Sequence, residues 1–151
     1  MNKFLSYGFA ASMVAGIAVI GATTISHARA VPAFLGQPQV PTDYSCFTNS
    51  NGTVTNNCGT TKQFCISLPV DDSSHTLSIN VIAPNISHNV SCFGQAGFRD
   101  NSIAGLTGLL SPSAFGGSQT LFLPTLSVPS QGNLYACCNL SPTSSVESIN
   151  Y

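Results

Sequence analysis

The sequence predicts an all-β protein, an antiparallel β-sandwich (jelly-roll-like) of about eight strands with three disulfides. Apolar and polar residues alternate over short runs, which is typical of strands that bury one face. Gly, Asn and Pro separate these runs at the spacing found in sandwiches and barrels. No run after residue 30 keeps a helical period, and the six cysteines all follow that residue.

The amino-terminal segment has the features of an export signal. Lys3 precedes an apolar run, and the segment ends in the small-x-small sequence ARA. This pattern predicts a secretory signal peptide over residues 1–30, cleaved before Val31, so that the protein is secreted to the periplasm or the extracellular space. Residues 31–43 contain three prolines and no periodicity, which predicts an extended leader with limited packing. The sandwich domain is expected over residues 44–151.

Eight runs are predicted to form the strands of that domain. In order they are YSCFT, TVTNNC, KQFCISLPV, TLSINVIA, HNVSCFG, TLFLP, GNLYACCNL and SSVESINY. Asn51-Gly52 between the first two is a strong hairpin signal. In the third run Phe64, Ile66 and Leu68 share one face, which we expect to be buried. The glycine-rich stretch over residues 94–117 predicts no helix, and IAGLTGLL within it is either a further strand or a buried loop segment.

Charged residues are sparse after residue 30. Two are cationic and five are anionic: Lys62, Arg99, Asp43, Asp71, Asp72, Asp100 and Glu147. Without a basic patch to neutralise phosphates, nucleic acid and anionic membranes are poor candidates as partners. Solubility must come from the many Ser, Thr and Asn residues, a composition compatible with hydrogen bonding to sugars.

The even number of cysteines in an exported chain favours three disulfides. A metal site is less favoured, because the sequence has no CxxC pair and neither His75 nor His88 has ligand-like spacing to a cysteine. Cys46 and Cys58 flank the Asn-Gly turn almost symmetrically, which favours a local bridge between them.

The adjacent cysteines Cys137 and Cys138 must point to opposite faces of a strand. Cys138 shares its face with apolar neighbours, as does Cys92, whereas Cys65 and Cys137 lie on the other side. This arrangement favours Cys65 paired with Cys137 and Cys92 paired with Cys138. The swapped pairing, which joins Cys65 to Cys138 and Cys92 to Cys137, remains the alternative.

Candidate metal ligands are few. Asp71, Asp72 and Asp100 supply the oxygen atoms that calcium prefers, so they are weak calcium candidates. Asp71 and Asp72 precede two serines between strands, and a solvated turn is the simpler interpretation. We expect Arg99 and Asp100 to form a local ion pair. No cofactor is expected.

Catalysis has little support. A Ser-His-Asp hydrolase would need a serine beside His75 or His88, yet no GxSxG motif is present. A glycosidase would need two placed carboxylates, such as Asp72 with Asp100 or Glu147, and nothing in the sequence fixes their separation.

Aromatic rings on strand faces opposite the core are the remaining candidates for ligand contacts. These rings are Phe47, Phe93, Phe98 and Tyr135. Four Asn-x-Ser/Thr sequons also occur, a number that this composition explains by chance: Asn51, Asn85, Asn89 and Asn139.

The segments FCISLPVDD, HNVSC, LYACCNLSP and VESINY resemble those of a group of small exported bacterial domains. The resemblance implies a disulfide-stabilised β-sandwich and brings no catalytic residues. We therefore expect a non-catalytic binding or structural module at the cell surface or in the extracellular matrix, with a carbohydrate or protein partner. A small secreted hydrolase and a self-assembling extracellular structural protein are the alternatives, the latter because weakly charged strand edges permit self-association.

Overall fold

The computed structural model describes residues 29–100 and 102–151. The predicted signal peptide lies outside this range except for its last two residues. The described residues form thirteen strands rather than eight. The strands are β1 (Ala30–Pro32), β2 (Gln37–Pro38), β3 (Phe47–Ser50), β4 (Thr53–Asn56), β5 (Lys62–Leu68), β6 (Ser74–His75), β7 (Ser78–Ile82), β8 (Val90–Gly97), β9 (Ile103–Leu106), β10 (Ser118–Phe122), β11 (Leu126–Ser127), β12 (Asn133–Leu140) and β13 (Ser145–Asn150).

Each of the eight predicted runs contains a strand, but the first three residues of YSCFT belong to a 3-10 helix and the strand there begins at Phe47. The five additional strands contain two to four residues each. Two short 3-10 helices, Ala33–Leu35 and Pro41–Cys46, complete the regular structure. Within the described residues, no helix has the length and apolar character needed to cross a lipid bilayer.

The strands form two main sheets, and every pairing is antiparallel. Sheet A has the order β10-β7-β13-β4-β3, and β1 pairs with β13 beside β4. Sheet B has the order β2-β5-β12-β8-β9. A separate two-stranded pair joins β11 to β6. The two sheets pack face to face, so the all-β sandwich predicted from the sequence is confirmed.

The core lies between the sheets and follows the alternation seen in the sequence. In β5 the residues Phe64, Ile66 and Leu68 are buried, as predicted. Ile79 and Val81 of β7 are fully buried and supply the facing surface from sheet A. Each strand therefore places one set of alternate residues in the core and the other set on an outer face.

Residues 31–43 differ from the expected extended leader. They contribute β1 to sheet A and β2 to sheet B, and Val31 and Ala33 are buried in the core. The chain passes so close to β5 that a Cβ on Gly36 would lie 2.5 Å from Ile66 and 2.7 Å from the carbonyl oxygen of Cys65. The expectation of limited packing is therefore wrong, because two small apolar side chains and one glycine fit this segment against both sheets.

The glycine-rich stretch contains β9, which pairs with the edge of β8. Its apolar side chains are exposed rather than buried, with Ile103 at 56% and Leu106 at 54%. The first half of IAGLTGLL, Ile103–Leu106, is thus a strand at the margin of sheet B, and the buried-loop interpretation is wrong.

Three disulfides are present, and every cysteine is bonded. Cys46 is joined to Cys58, Cys65 to Cys137 and Cys92 to Cys138, which is the first of the two pairings considered from the sequence.

The last two bridges connect residues that lie directly opposite each other in the ladders of β12 with β5 and of β12 with β8. Strand β12 is therefore linked covalently to both neighbours. Cys92 and Cys138 face the core, and Cys65 and Cys137 face outward.

Candidate functional site

The outer face of sheet B carries a groove whose floor is a disulfide. Gln37, Cys65, Cys137 and Phe93 lie in register across β2, β5, β12 and β8, so they form one row across four strands. The bond between Cys65 and Cys137 occupies the middle of this row. An amide from β2 and an aromatic ring from β8 stand on either side of it.

Two further rows flank the disulfide. On one side Tyr135 of β12 pairs with Ser67 of β5 and with Gln95 of β8. On the other side Asn139 pairs with Gln63 and with Ser91. Because cross-strand neighbours on one face have Cβ atoms about 5 Å apart, the phenol ring and these amides surround the same central row.

The resulting groove encloses about 240 Å³. Its walls come from all of the strands of sheet B except β9, together with the residue that follows β2. The lining residues are Gln37, Pro38, Gln39, Gln63, Cys65, Phe93, Gln95, Tyr135 and Cys137. This lining contains four side-chain amides, two aromatic rings and no ionisable carboxylate or histidine.

The polar groups of the groove are largely free to bind a ligand. Within residues 29–100 and 102–151, the side-chain amides of Gln63 and Gln95 and the Tyr135 hydroxyl make no hydrogen bond to another residue. Gln37 accepts a long bond of 3.5 Å from the Tyr44 hydroxyl. Each glutamine amide offers two N–H donors and one carbonyl acceptor, so the groove presents donors and acceptors together.

The structure separates the four candidate rings. Phe93 and Tyr135 line the groove. Phe47 instead packs on the buried ring of Phe64, with 5.0 Å between the ring centroids. Phe98 lies just beyond β8 and is 46% exposed, outside the groove. The alternation of residues along the strands therefore identified both aromatic rings of the groove but not its glutamines.

The glutamines were nevertheless detectable in part. Gln63 lies two residues before Cys65, and Gln95 lies two residues after Phe93, so each shares the outer face of its strand with a candidate residue. What the sequence did not provide was the register that brings β5, β12 and β8 together. Gln37 was hidden because its segment was interpreted as a leader.

The calcium candidates are occupied by local hydrogen bonds. The Ser73 hydroxyl donates to Asp71 at 2.8 Å, and Asp72 accepts the backbone N–H of Gln131 at 3.0 Å. Asp100 accepts the backbone N–H and the hydroxyl of Ser102 at 3.0 and 2.6 Å. In the described part of the chain, these carboxylates belong to no group of three or more potential metal ligands.

Hydrogen bonds with serine lower the pKa of two of these carboxyls. The Ser73 hydroxyl holds the pKa of Asp71 below its ordinary value of 3.8. The Ser102 hydroxyl does the same for the pKa of Asp100. Both carboxylates are exposed, so their hydrogen bonds hold the conformation of surface loops.

The expected ion pair between Arg99 and Asp100 is replaced by other contacts. The Arg99 guanidinium donates to the Gln131 side chain at 2.9 Å, while Asp100 binds Ser102. Gln131 also donates its backbone N–H to Asp72, so Arg99 is connected to that loop through a neutral residue. The local ion-pair expectation is therefore wrong.

One cluster contains serine, histidine and aspartate, yet its geometry does not suit nucleophilic catalysis. The Ser73 hydroxyl lies 2.9 Å from Nε2 of His75, and the Asp71 carboxylate lies 3.2 Å from the same nitrogen. A catalytic relay needs serine on one ring nitrogen and the carboxylate on the other.

The remaining hydrolase candidates have structural contacts. Glu147 accepts a hydrogen bond from Ser118 on the outer face of sheet A. Nδ1 of His88 lies 3.4 Å from the Thr143 hydroxyl.

Comparison with known proteins identifies the fold. No family model and no curated protein matches the chain. A GH26-CBM35 β-(1,4)-mannanase of Podospora anserina is similar in structure, with a TM-score of 0.55 and 12% identity over 82% of this chain and 27% of the mannanase. A Paenibacillus cycloisomaltooligosaccharide glucanotransferase complexed with cycloisomaltoheptaose has a TM-score of 0.50 and 9% identity, over 80% of this chain and 18% of the enzyme.

A Cellvibrio mixtus carbohydrate-binding module from lichenase 5A, complexed with cellotriose, has a TM-score of 0.46 and 13% identity, over 81% of this chain and 94% of the module. This chain therefore spans about a quarter of the mannanase and nearly the whole of the isolated module. At these identities the likeness is one of fold, and the fold is the β-sandwich.

Proposed function

We propose that this protein is a non-catalytic module that binds a neutral carbohydrate in the groove on the outer face of sheet B. We propose further that it acts outside the cytoplasm after removal of residues 1–30. Three disulfides agree with an oxidising compartment. The groove residues Gln37, Gln63, Gln95, Phe93 and Tyr135 would make the contacts.

The proposal rests on one observation. Two aromatic rings and side-chain amides without protein partners in the described residues lie around the same disulfide in the groove. A sugar ring presents a face of C–H groups and a rim of hydroxyls. Phe93 and Tyr135 offer apolar ring surface to the former, while the glutamine amides offer donors and acceptors to the latter. The groove is also open and uncharged, as a neutral polymer chain requires.

The structural neighbours support the same function without specifying the sugar. The Podospora anserina protein acts on β-(1,4)-mannan, and the Paenibacillus enzyme was complexed with an oligosaccharide of glucose. Both contain a region with the fold of this chain. The first ligands to test are therefore β-mannan and soluble glucans.

The proposal is tested with the oxidised protein in calorimetric titrations against manno-oligosaccharides, cello-oligosaccharides and isomalto-oligosaccharides. We expect binding to at least one series. Tyr135→Ala should weaken it about tenfold, equivalent to about 1.4 kcal/mol, because one of the two aromatic rings of the groove is lost. Phe98→Ala is the matched control, since it removes an exposed ring outside the groove. No binding to any series, or equal losses in the two variants, would reject the groove.

A further inference from the structure

The two main sheets end in the edge strands β10, β3, β2 and β9, and the three-residue β1 also has a partner on one side only. β2 contains two residues, one of them Pro38. β3 contains four residues, and the Asn57 side chain donates to the Thr48 hydroxyl of that strand at 2.7 Å. The pairing of β9 with β8 contains a register shift. Short length, proline and register breaks are the usual devices that block an edge.

β10 lacks these devices. Its five residues pair with β7 without a register shift. It contains no proline, and residues 102–146 include no Asp, Glu, Lys or Arg. Ser118, Thr120 and Phe122 are exposed, with Phe122 at 71%.

One side of β10 has no backbone hydrogen-bond partner within the described residues, and on that side the Ser118 carbonyl oxygen accepts the side-chain amide of Gln119 at 3.1 Å. The N–H of Leu123 donates to the carbonyl oxygen of Leu77 at 2.9 Å, which continues the register of β10 with β7. Since hydrogen-bonded and non-bonded positions alternate in an antiparallel ladder, Gln119 and Leu121 bond to β7. Ser118, Thr120 and Phe122 therefore direct their N–H and C=O groups away from the sheet, toward solvent.

We infer that β10 pairs antiparallel with β10 of a second copy of this chain, on a two-fold axis at Thr120. In that register Thr120 meets Thr120 of the other copy, and Ser118 meets Phe122 at both ends. Every residue that faces outward then exchanges both backbone hydrogen bonds with its partner, so the edge complements itself. Each Phe122 ring also covers the Ser118 position of the opposite copy.

The proposed contact gives a closed dimer. Because the two-fold axis pairs β10 with itself, this interface is complete at two copies. The axis lies perpendicular to the sheets, so the two grooves open toward the same side. If the proposed function holds, the dimer can bind two stretches of one polysaccharide surface and gain avidity.

The test is the mass of the oxidised protein by sedimentation equilibrium from about 1 μM to about 1 mM, the range of weak and transient associations. We expect the mass to reach twice that of one chain. Thr120→Lys should give a monomer, because it puts two like charges opposite each other on the axis. Ser50→Lys, which adds the same charge to the edge strand β3 at the other end of sheet A, should leave the dimer unchanged.

Thr120→Pro provides a second variant that adds no charge. It removes an N–H that does not bond to β7, so the fold should persist and the dimer should be lost. A wild-type mass of one chain across the whole range, assemblies larger than two, or equal dissociation in Ser50→Lys and Thr120→Lys would overturn the inference. These measurements contain no sugar, so their outcome is independent of whether the groove binds carbohydrate.

Discussion

The outer faces of the two sheets differ in what their polar side chains bind. On sheet A, Thr120 donates to Asn80 at 2.7 Å and Asn80 donates to Ser148 at 2.9 Å, so one chain of bonds crosses three strands. On sheet B, the amides of Gln63 and Gln95 make no such bonds within the described residues. Both faces are rich in neutral polar side chains, yet those of sheet A bond to one another, whereas the two glutamine amides of sheet B have no protein partner within the described residues. Composition alone therefore does not locate a binding face.

We expect the disulfide between Cys65 and Cys137, which forms the floor of the groove, to support both the stability of the fold and sugar binding. Cys65→Ala combined with Cys137→Ala opens a loop with a sequence separation of 72. The chain-entropy model gives a loss of about 4 kcal/mol in the free energy of unfolding, measured by urea denaturation. The same double change at Cys46 and Cys58, with a separation of 12, should cost about 3 kcal/mol and leave sugar affinity intact.

This prediction depends on the disulfide pairing, which peptide mapping of unreduced protein tests directly. We expect peptides linked through Cys65 with Cys137 and through Cys92 with Cys138. Free thiols, the swapped links or a bond between Cys137 and Cys138 would contradict the arrangement. A larger loss of stability from the short loop than from the long one would contradict the entropic account.

Removal of the buried Asn56 side chain should lower the free energy of unfolding strongly, because all the polar groups of its amide are hydrogen-bonded. Asn56 is fully buried; its amide donates to Leu140 and Thr60 carbonyls at 2.7 and 2.9 Å, and its carbonyl accepts the Cys58 N–H at 2.9 Å. Asn56→Ala leaves these groups without partners and should cost about 3 kcal/mol in urea denaturation. Asn57→Ala, which removes one exposed bond to Thr48, should cost less than about 1 kcal/mol. Equal losses would show that burial does not set the cost.

The two faces should respond in opposite ways to the loss of one amide. Asn80→Ala breaks the bonds on sheet A and should lower stability by about 1 kcal/mol without changing sugar affinity. Gln95→Ala removes an unpaired amide, so stability should stay within about 0.5 kcal/mol of wild type while affinity falls severalfold. Denaturation and calorimetry on both variants provide the measurement. A clear loss of stability in Gln95→Ala would mean that its amide is already satisfied in the free protein.

The smallest effect should come from pH, because the groove has no carboxylate or histidine in its lining. The serine contacts lower the pKa of Asp71 and Asp100 in the folded state. Their contribution to stability is therefore complete above the ordinary pKa of 3.8 and is lost as the pH falls through the lowered values. Melting temperature should decline slightly below that pH, while sugar affinity stays constant above about pH 5.

Ser73→Ala combined with Ser102→Ala is the control for the pH effect. It removes the hydroxyls that lower both pKa values and should flatten the acid-side decline in melting temperature. An unchanged decline would show that the contacts of Ser73 and Ser102 do not cause the acid sensitivity.

Local alternation predicted the main strands well because each depends on its own residues. KQFCISLPV and GNLYACCNL show which residues face the core without knowledge of their neighbours. The adjacent cysteines were informative for the same reason. Neighbouring residues on a strand point to opposite faces, so placing Cys138 in the core places Cys137 on the outer face. These patterns identified Phe93 and Tyr135 as outward-facing rings.

The rest of the site depends on long-range pairing that no local pattern encodes. Gln37 reaches the groove because β2 pairs with β5, and its proline-rich segment gives no sign of that. The row from Gln37 to Phe93 exists only once four strands have taken their register. The exposure of Ile103 and Leu106 likewise follows from the position of β9 at a sheet margin, which hydrophobicity alone misassigns.

The two adjacent cysteines also have a mechanical consequence. Because Cys137 is bonded to β5 and Cys138 to β8, the three strands that carry most of the groove form one covalent unit. If the proposed function holds, a pulling force on a bound polymer enters the protein through these strands, which cannot slide past one another unless a sulfur–sulfur bond breaks. In sheet A the one bridge joins Cys46 to Cys58 at the end of the β3–β4 hairpin, and β7, β10 and β13 have no covalent link to their neighbours, so these strands would separate first while the groove keeps its shape.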